Sequence, residues 1–190
     1  ALNNLLNSQQ PTTEAVLEAA RRDPTIASIH LQTAHLRCNK ELWLIHLQHA
    51  PSQSAFEEAV TFVGDCDSVW LLYIKYAQIH RLNIPEIAKR AHMVCPQSAD
   101  ITYQYCLQGD TSDDQVCEMA RKYKKHEGLQ LLFAKNPKHI PEALQHTPTS
   151  LHLWIRSCLH AMNTSGPAAF RAHWEKARKA GIVNLNIPLE

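Results

Sequence analysis

The sequence predicts an all-α protein built from consecutive antiparallel helix pairs. Apolar residues recur at three- and four-residue spacing through most of the chain, which is the period of a helix with one buried face. Glycine is scarce and proline is common, at 5 and 10 of 190 residues, and the prolines separate the periodic segments. No stretch shows the alternation of a half-buried strand or an Asn-Gly hairpin turn. A chain of this length has room for about five to six helix pairs.

Capping signals and prolines mark where the helices begin and end. Ser54 with Glu57, and Ser112 with Gln115, have the spacing of a capping box, in which two side chains satisfy backbone N–H groups at a helix start. Outside the central segment, helices are expected near residues 13–23, 25–37, 40–50, 54–63, 98–108, 112–127, 129–136, 139–146, 150–165 and 167–180.

The segment 67–98 contains the clearest helix pair, with a break at Asn83-Ile84-Pro85. Pro85 suits the first turn of the second helix, because the N–H that it lacks would have no partner there. Pro96 ends that helix. Neither helix is long enough to be stable alone in water, so each must bury its apolar face on a neighbour. The first helix has one face formed by Val69, Leu72, Tyr73, Tyr76 and Ile79.

Two features of this pair recur along the chain, as in a degenerate helical repeat. Aromatic residues or their apolar substitutes in first helices are Trp43, Trp70, Tyr103, Leu131 and Trp154, at separations of 27, 33, 28 and 23 residues. Alanines five residues before a proline, near the ends of second helices, are Ala19, Ala91 and Ala143. We therefore divide the chain into a polar N-terminal segment (1–11), a helical-repeat domain (12–181) and an extended C-terminal tail (182–190).

The best-matching repeat has the pattern Trp70-x-x-Tyr73-x-x-Tyr76, followed by Ala88-x-Arg90-Ala91-x-x-x-Cys95-Pro96. This pattern resembles the half-a-TPR (HAT) repeat, which has a Trp-x-x-Tyr first helix and a second helix ending in Ala and then Pro. HAT proteins are helical-repeat scaffolds, mostly in nuclear RNA-processing complexes. The resemblance implies an α-solenoid, a nuclear location, and a role as a protein–protein interaction scaffold in an RNA-processing or RNA-decay complex. It also implies a homodimer, which is common in that family.

Composition narrows the choice of partner and compartment. The formal net charge is only +1, so the chain has no general attraction to nucleic acid. Six cysteines are spread singly, without a Cys-x-x-Cys motif. Three disulfides are one interpretation, but free cysteines on apolar helix faces, in a reducing intracellular compartment, are favoured. No apolar run approaches the roughly 18 residues of a membrane span, so no membrane partner is expected.

Two other functions remain open beside the scaffold. A TPR-like adaptor would capture a peptide tail with polar and cationic side chains inside its groove, for which Lys75, Lys89 and Arg90 are the nearest candidates. A direct RNA binder would need basic residues along one surface to contact phosphates, although the same residues also fit solvated helix ends. The basic candidates for RNA contact are Arg121, Lys122, Lys124, Lys125, Arg171, Lys176, Arg178 and Lys179.

Neither catalysis nor metal binding is expected. His46 and His49 could face one zinc ion, but a structural zinc site has four ligands and no others are evident. Cysteines lie close to histidines in sequence at Cys158 and at Cys38. A Cys-His nucleophile also needs a thiolate and an oxyanion site, and nothing in the sequence supplies the latter. We therefore predict no enzyme activity, no cofactor and no metal.

The aromatic residues could serve as partner-binding anchors or as core, and their helical spacing favours the core. The residues concerned are Trp43, Trp70, Tyr73, Tyr76, Trp154 and Trp174. In the helix near 150–165, the face expected to pack inward consists of Leu151, Trp154, Ile155, Cys158 and Met162.

Overall fold

The computed structural model describes residues 12–108 and 111–182, and every regular element in these ranges is a helix. The predicted all-α class is confirmed. The α-helices are α1 (Thr13–Arg22), α2 (Thr25–His30), α3 (Lys40–His49), α4 (Gln53–Phe62), α5 (Asp67–His80), α6 (Ile84–Val94), α7 (Ala99–Leu107), α8 (Asp113–Lys122), α9 (Glu127–Phe133), α10 (Ile140–His146), α11 (Leu151–Ser165) and α12 (Pro167–Lys179). A short 3₁₀ helix, Pro137–His139, precedes α10. The predicted polar segment 1–11 and most of the predicted tail, 183–190, lie outside the described residues.

The chain divides into two compact units, with the boundary after Ile101. In the first unit, α1 packs on α2 and α3, α3 on α4 and α5, and α5 on α4 and α6. In the second, α9 packs on α8 and α10, and α11 packs on α10 and α12. Each helix thus packs mainly on its neighbours in sequence, as helical repeats do. That residues 12–181 form one repeat domain stays a prediction.

The first helices of the pairs share one burial pattern. Their third residues are fully buried aliphatics: Leu42, Val69, Ile101, Leu129 and Leu153. The eighth residues, counted from the helix start, are also buried: Leu47, Ile74, Cys106, Ala134 and Cys158. The fourth residues are Trp43, Trp70, Thr102, Gln130 and Trp154. Tyr103 and Leu131, which we predicted to be equivalent to the tryptophans, are therefore wrong by one residue. We chose them for their apolar side chains, whereas the position counted from the helix start gives Thr102 and Gln130.

Three of the four tryptophans make the same hydrogen bond. The indole N–H donates to the backbone carbonyl six residues earlier, at 2.6, 2.7 and 2.8 Å for Trp43, Trp70 and Trp154 respectively. These acceptor carbonyls belong to the turn that precedes the helix. Each indole therefore ties the first turn of its helix to the end of the preceding segment.

The predicted alanine pattern marks the last turn of the second helices. The carbonyls of Ala19, Ala91 and Ala143 accept the N–H of the residue that ends the helix, at 2.8–3.0 Å. All three alanines are at most 1% exposed. Ala59 occupies the same place in α4, but Gly64 follows it at the proline position. The pattern therefore also occurs in a pair where the sequence did not reveal it.

Helix starts follow the predicted signals except in α4 and α9. The helix expected over 112–127 ends at Lys122, and α9 begins at Glu127 rather than at Leu129. Ser112 and Gln115 form the capping box that the sequence predicts, with bonds of 3.3 and 3.0 Å. The box predicted for Ser54 and Glu57 is wrong, since Ser52 has the extended backbone of a cap and accepts an N–H of the first turn. Glu57 is thereby left inside the helix, where it contacts α5 and α6.

The second predicted helix is shorter than expected. It ends at His30, not Arg37, and the chain continues in turns that bury both Leu31 and Leu36. Carbonyls freed by this unwinding are satisfied locally. Arg37 donates to the Leu31 carbonyl at 3.2 Å, and the carbonyl of Arg37 is the one that Trp43 binds. The turns thus bury two leucines without leaving these two carbonyls unpaired.

The aromatic residues were expected to lie in the core, and three of them are fully buried. Trp43, Trp70 and Tyr73 are 1–2% exposed, and the Tyr73 ring stacks on Phe56 with centroids 4.9 Å apart. The remaining candidates, Tyr76, Trp154 and Trp174, are half-buried.

Candidate functional site

A carboxylate on α4 joins three helices in the first unit. The Arg90 guanidinium binds both oxygens of Glu57, at 2.9 and 2.8 Å, and the Tyr73 hydroxyl donates to the same carboxylate at 2.6 Å. The guanidinium also lies 5.6 Å from the Trp70 ring centroid. Hydrogen bonds from Arg90 hold the pKa of Glu57 below its usual value, while burial, together with Glu57, raises the pKa of Tyr73.

This network shows how the structure uses the residues proposed for peptide capture. Arg90 is already bound to Glu57 in a bidentate pair. Lys75 on α5 and Lys89 on α6 are exposed. The adaptor hypothesis stays a prediction, and within it the two lysines are the side chains available to a peptide.

Replacing Glu57 with glutamine is expected to lower the free energy of unfolding by about 1 kcal/mol at pH 7, because the pair is part-exposed and screened by solvent. The lowered pKa of Glu57 means that its contribution is complete above the unfolded pKa of about 4.3 and is lost as the pH falls through the folded pKa. Urea denaturation should therefore show a smaller difference from wild type at pH 3 than at pH 7. The exposed neighbour Glu58 supplies the matched control, Glu58→Gln, which should change stability little at either pH. A difference of the same size at both pH values would mean that charge is not its source.

Several of the residues proposed for RNA contact are engaged within the second unit. Arg121 binds both carboxylate oxygens of Glu142, at 2.8 and 3.1 Å, and Arg178 binds Glu175 at 2.9 Å. The Lys122 ammonium lies 5.0 Å from the ring centroid of Tyr123. The candidates that are exposed, with no contact seen within the described residues, are Lys124, Lys125, Arg171, Lys176 and Lys179. Direct RNA binding stays a prediction.

The structure brings together a cysteine and a histidine that the sequence analysis did not pair. The Cys117 sulfur lies 3.8 Å from Nε2 of His139, beside a cavity of about 320 Å³. Burial raises the pKa of Cys117, so the thiol rather than the thiolate is favoured at neutral pH. Of the cysteines considered from sequence, Cys38 is exposed and Cys158 is buried with a raised pKa. Neither Cys117 nor Cys158 therefore has the lowered pKa of an activated thiol.

A serine–histidine pair is also present. The Ser157 hydroxyl is 2.8 Å from Nδ1 of His173, in an apolar cavity of about 350 Å³ that Trp154 also lines. Within the described residues no carboxylate hydrogen-bonds to this histidine, and the serine is only 3% exposed. A catalytic triad needs both an orienting acid and an accessible hydroxyl. The pair therefore acts here as a satisfied polar contact between α11 and α12.

Of the two histidines considered for zinc, His46 packs against an aromatic side chain. His46 is half-buried, and its ring lies edge-on to Trp43 with centroids 6.0 Å apart. Burial lowers the pKa of His46. Among residues 12–108 and 111–182, no three His, Cys, Asp or Glu side chains are grouped so that they could hold a metal ion.

Of the nine large apolar side chains exposed in the described chain, four lie on α11. Four of its residues are 42–55% exposed, at spacings of four, four and three. This spacing places them on one face of the helix. They are Leu151, Ile155, Leu159 and Met162, here called the α11 stripe.

The α11 stripe corrects our prediction for this helix. Leu151, Ile155 and Met162 were expected to pack inward, yet all three are exposed. The buried face instead carries Leu153, Ser157, Cys158 and Ala161. Its small side chains let α12 approach closely, and this close packing decides which face turns inward. The sequence does contain a signal for the exposed face, because Leu151, Ile155, Leu159 and Met162 form an apolar stripe of their own at i, i+4, i+8 and i+11.

Part of the α11 stripe borders a groove of about 520 Å³, here called the α11 groove. Ile155 and Leu159 form one wall. The opposite wall comes from the end of α9, the 3₁₀ helix and the start of α10. Its apolar residues are Leu131, Ala134, Pro137 and Ile140. The volume lies within the range of ordinary ligand and peptide pockets, roughly 300–1,000 Å³.

The charged residues that line the α11 groove are cationic or can become so. Lys135 and Arg156 line it with His152 and His160, and no carboxylate does. The Arg156 guanidinium is held in place by donating to the Leu131 carbonyl at 2.7 Å. An acid, Glu127, lies beside the groove: it accepts from the Ser150 hydroxyl at 2.6 Å and lies 3.2 Å from Nδ1 of His152.

Comparisons of the chain with protein-family models, with curated proteins and with solved structures found no significant match. No helix among the described residues is long and apolar enough to cross a membrane. Any assignment of function therefore depends on the residues and geometry described above.

Proposed function

We propose that this chain is a non-catalytic helical-repeat scaffold that binds other proteins. The observation that carries the proposal is the shared register of the first helices, with a buried aliphatic third residue and a buried eighth residue in each. The tryptophan hydrogen bond that recurs at the fourth residue supports the same reading. A register repeated in this way is typical of chains whose helix pairs stack on one another, and we infer an α-solenoid of about five pairs from it.

The resemblance to HAT repeats gives the proposal its biological setting. The matching residues in α5 and α6, from Trp70 to Pro96, have structural roles: the indole bonds the preceding turn, and the alanines are buried at the helix interface. We therefore infer a subunit of a nuclear RNA-processing or RNA-decay complex, and expect a homodimer as in that family. The exposed α11 stripe supports binding to protein, because a large uncovered apolar surface favours protein contact.

A pull-down from nuclear extract, with the full chain as bait, tests this function. Recovery of RNA-processing proteins that persists after nuclease treatment would support a scaffold. If the proteins are lost with the RNA, the chain acts as an RNA binder, and Lys124→Ala with Lys125→Ala should then abolish recovery because these cations are free to meet phosphates. Capture only of clients through their peptide tails would favour the TPR-like adaptor, and Lys75→Ala would test it.

A further inference from the structure

We propose that the α11 groove binds an amphipathic helix of a partner protein, with acidic residues flanking the apolar stripe of that helix. This inference rests on the proposed scaffold function and adds the chemistry of the partner. Two observations carry it: the length of the α11 stripe, of which only Ile155 and Leu159 line the groove, and the sign of the charge around the groove.

The α11 stripe has the dimensions of a helix-binding surface. From Leu151 to Met162 it covers eleven residue steps, or about 16 Å at 1.5 Å per residue, which is about three turns of a partner helix. Four of the nine large apolar side chains that are exposed in the described chain lie on this one helix. Helix-in-groove recognition uses anchors at i, i+3 or i+4, and i+7, and the stripe offers contacts at matching intervals.

The charge around the groove selects the partner. Lys135 is exposed and has no partner among the described residues, and Arg156 contacts a backbone carbonyl but no carboxylate there. His152 and His160 are both exposed. The acid near this rim, Glu127, lies 3.2 Å from Nδ1 of His152, so the positive charge of the groove comes from Lys135 and Arg156. Complementary charge across an interface raises the association rate and suppresses wrong partners, so acidic residues should flank the apolar anchors of the occupant.

The same charges argue against two other occupants. In a two-fold dimer the same patch meets itself, so Lys135 and Arg156 would face copies of their own positive charge. An RNA strand would satisfy the cations but would leave the aliphatic side chains of the α11 stripe uncovered by phosphate and sugar. A helix with an apolar stripe and an acidic border satisfies both parts of the surface.

The first experiment is a display selection against the full chain, with a library of 18-residue helical peptides randomised at all surface positions. We expect enrichment of aliphatic residues at i, i+4 and i+7 or i+8, bordered by Asp or Glu. Enrichment of Lys and Arg at the border, or no enrichment of an apolar stripe, would overturn the proposal.

The second experiment locates the site, with the best selected peptide labelled for fluorescence anisotropy. Leu159→Glu places a charge in the centre of the stripe and should weaken binding at least about tenfold, as loss of an interface hot spot does. Lys135→Glu should weaken it about three- to tenfold, and a peptide with Lys in place of its acidic border should recover affinity for that variant. Both positions are exposed, so circular dichroism should show unchanged folding.

The matched control is Ile79→Glu, the same kind of change at an aliphatic residue on α5 that is even more exposed than Leu159. It should leave peptide affinity within about twofold of wild type, since Ile79 is not part of the α11 groove. Equal weakening by Ile79→Glu or by Lys75→Glu would overturn the assignment. Two other results would also overturn it. One is a wild-type dimer, seen by sedimentation, that Leu159→Glu dissociates. The other is single-stranded RNA that binds the same groove more tightly than the peptide does.

The pull-down separates failure of this inference from failure of the proposed function. If a bait carrying Leu159→Glu recovers the same nuclear proteins as wild type, the scaffold function is retained but the groove is not the binding site. Loss of some nuclease-resistant partners with that bait, and not with Ile79→Glu, would support both. If the wild-type bait recovers no protein, the proposed scaffold function is wrong.

Discussion

Replacing Trp70 with alanine is expected to lower the free energy of unfolding of the first unit by about 3–5 kcal/mol, as large-to-small changes in a packed core do. The side chain is 2% exposed and contacts the Tyr73 ring and the Arg90 guanidinium. Its N–H also satisfies the Gly64 carbonyl at 2.7 Å. The change therefore leaves a cavity and removes a hydrogen bond together. Urea denaturation followed by far-UV circular dichroism measures the loss.

Two further variants separate the packing from the hydrogen bond. Trp70→Phe keeps most of the apolar volume and removes the N–H, so its cost should be smaller, at about 1–3 kcal/mol. Trp154→Ala removes the same hydrogen bond at a half-buried site and should also cost less than Trp70→Ala. Unchanged stability of Trp70→Ala, together with loss of partner binding, would identify Trp70 as an anchor and contradict the packing described here.

Replacing Gln130 with glutamate is the second change with a large expected effect. Gln130 is fully buried, and its amide nitrogen donates to the carbonyls of Ala120 at 2.7 Å and Tyr123 at 3.5 Å. Because that nitrogen faces carbonyls, the amide oxygen must face His146, whose Nδ1 lies 3.1 Å away and carries the hydrogen. A carboxylate would place an oxygen against two carbonyl oxygens. We expect a loss of about 3–5 kcal/mol at pH 7, as for an uncompensated buried charge.

The penalty in Gln130→Glu should depend on pH. Burial against carbonyls raises the pKa of the new carboxyl group above its unfolded value of about 4.3, so the folded variant holds a proton that the unfolded chain has released. The variant therefore loses stability, relative to wild type, as the pH rises above about 4.3. Denaturation at pH 4 and pH 7.5 measures this difference. The exposed Gln145 provides the control, since Gln145→Glu should be nearly neutral at both values, and a pH-independent loss in Gln130→Glu would point to shape rather than charge.

The helices themselves could be predicted from the sequence because their signals are local. Proline, capping residues and apolar period act within a few residues, which is why Pro85 in the first turn of α6 and the box at Ser112 were predicted correctly. The errors arose where a distant contact decides the outcome. Ser54 and Glu57 have capping spacing, but Arg90, 33 residues away from Glu57, is the actual partner of that carboxylate.

The candidate site was harder to predict, because α11 offers two apolar faces and only its neighbours decide which is buried. Trp154, Ile155 and Cys158 formed an apolar set by period alone. Of these, the structure buries Cys158 but exposes Ile155, and the buried face also carries small residues such as Ala161, which allow α12 to approach closely. Gln130 was missed for the opposite reason, because a polar residue in the tryptophan register shows no apolar signal. It became visible only through the two carbonyls that it bonds.

The tryptophan hydrogen bond sets where this chain can change in length. Each bond joins an indole to the carbonyl six residues before it, and the bonded residue ends one helix pair while the indole opens the next. An insertion or deletion between Gly64 and Trp70 would shift the indole by about 100° around its helix per residue and break the bond. Differences in repeat length must then accumulate elsewhere, such as in the turn around Arg81 within a pair. The joints before α3, α5 and α11, where this bond occurs, are therefore fixed in length, so evolutionary insertions and engineered tags belong in the turns inside the pairs.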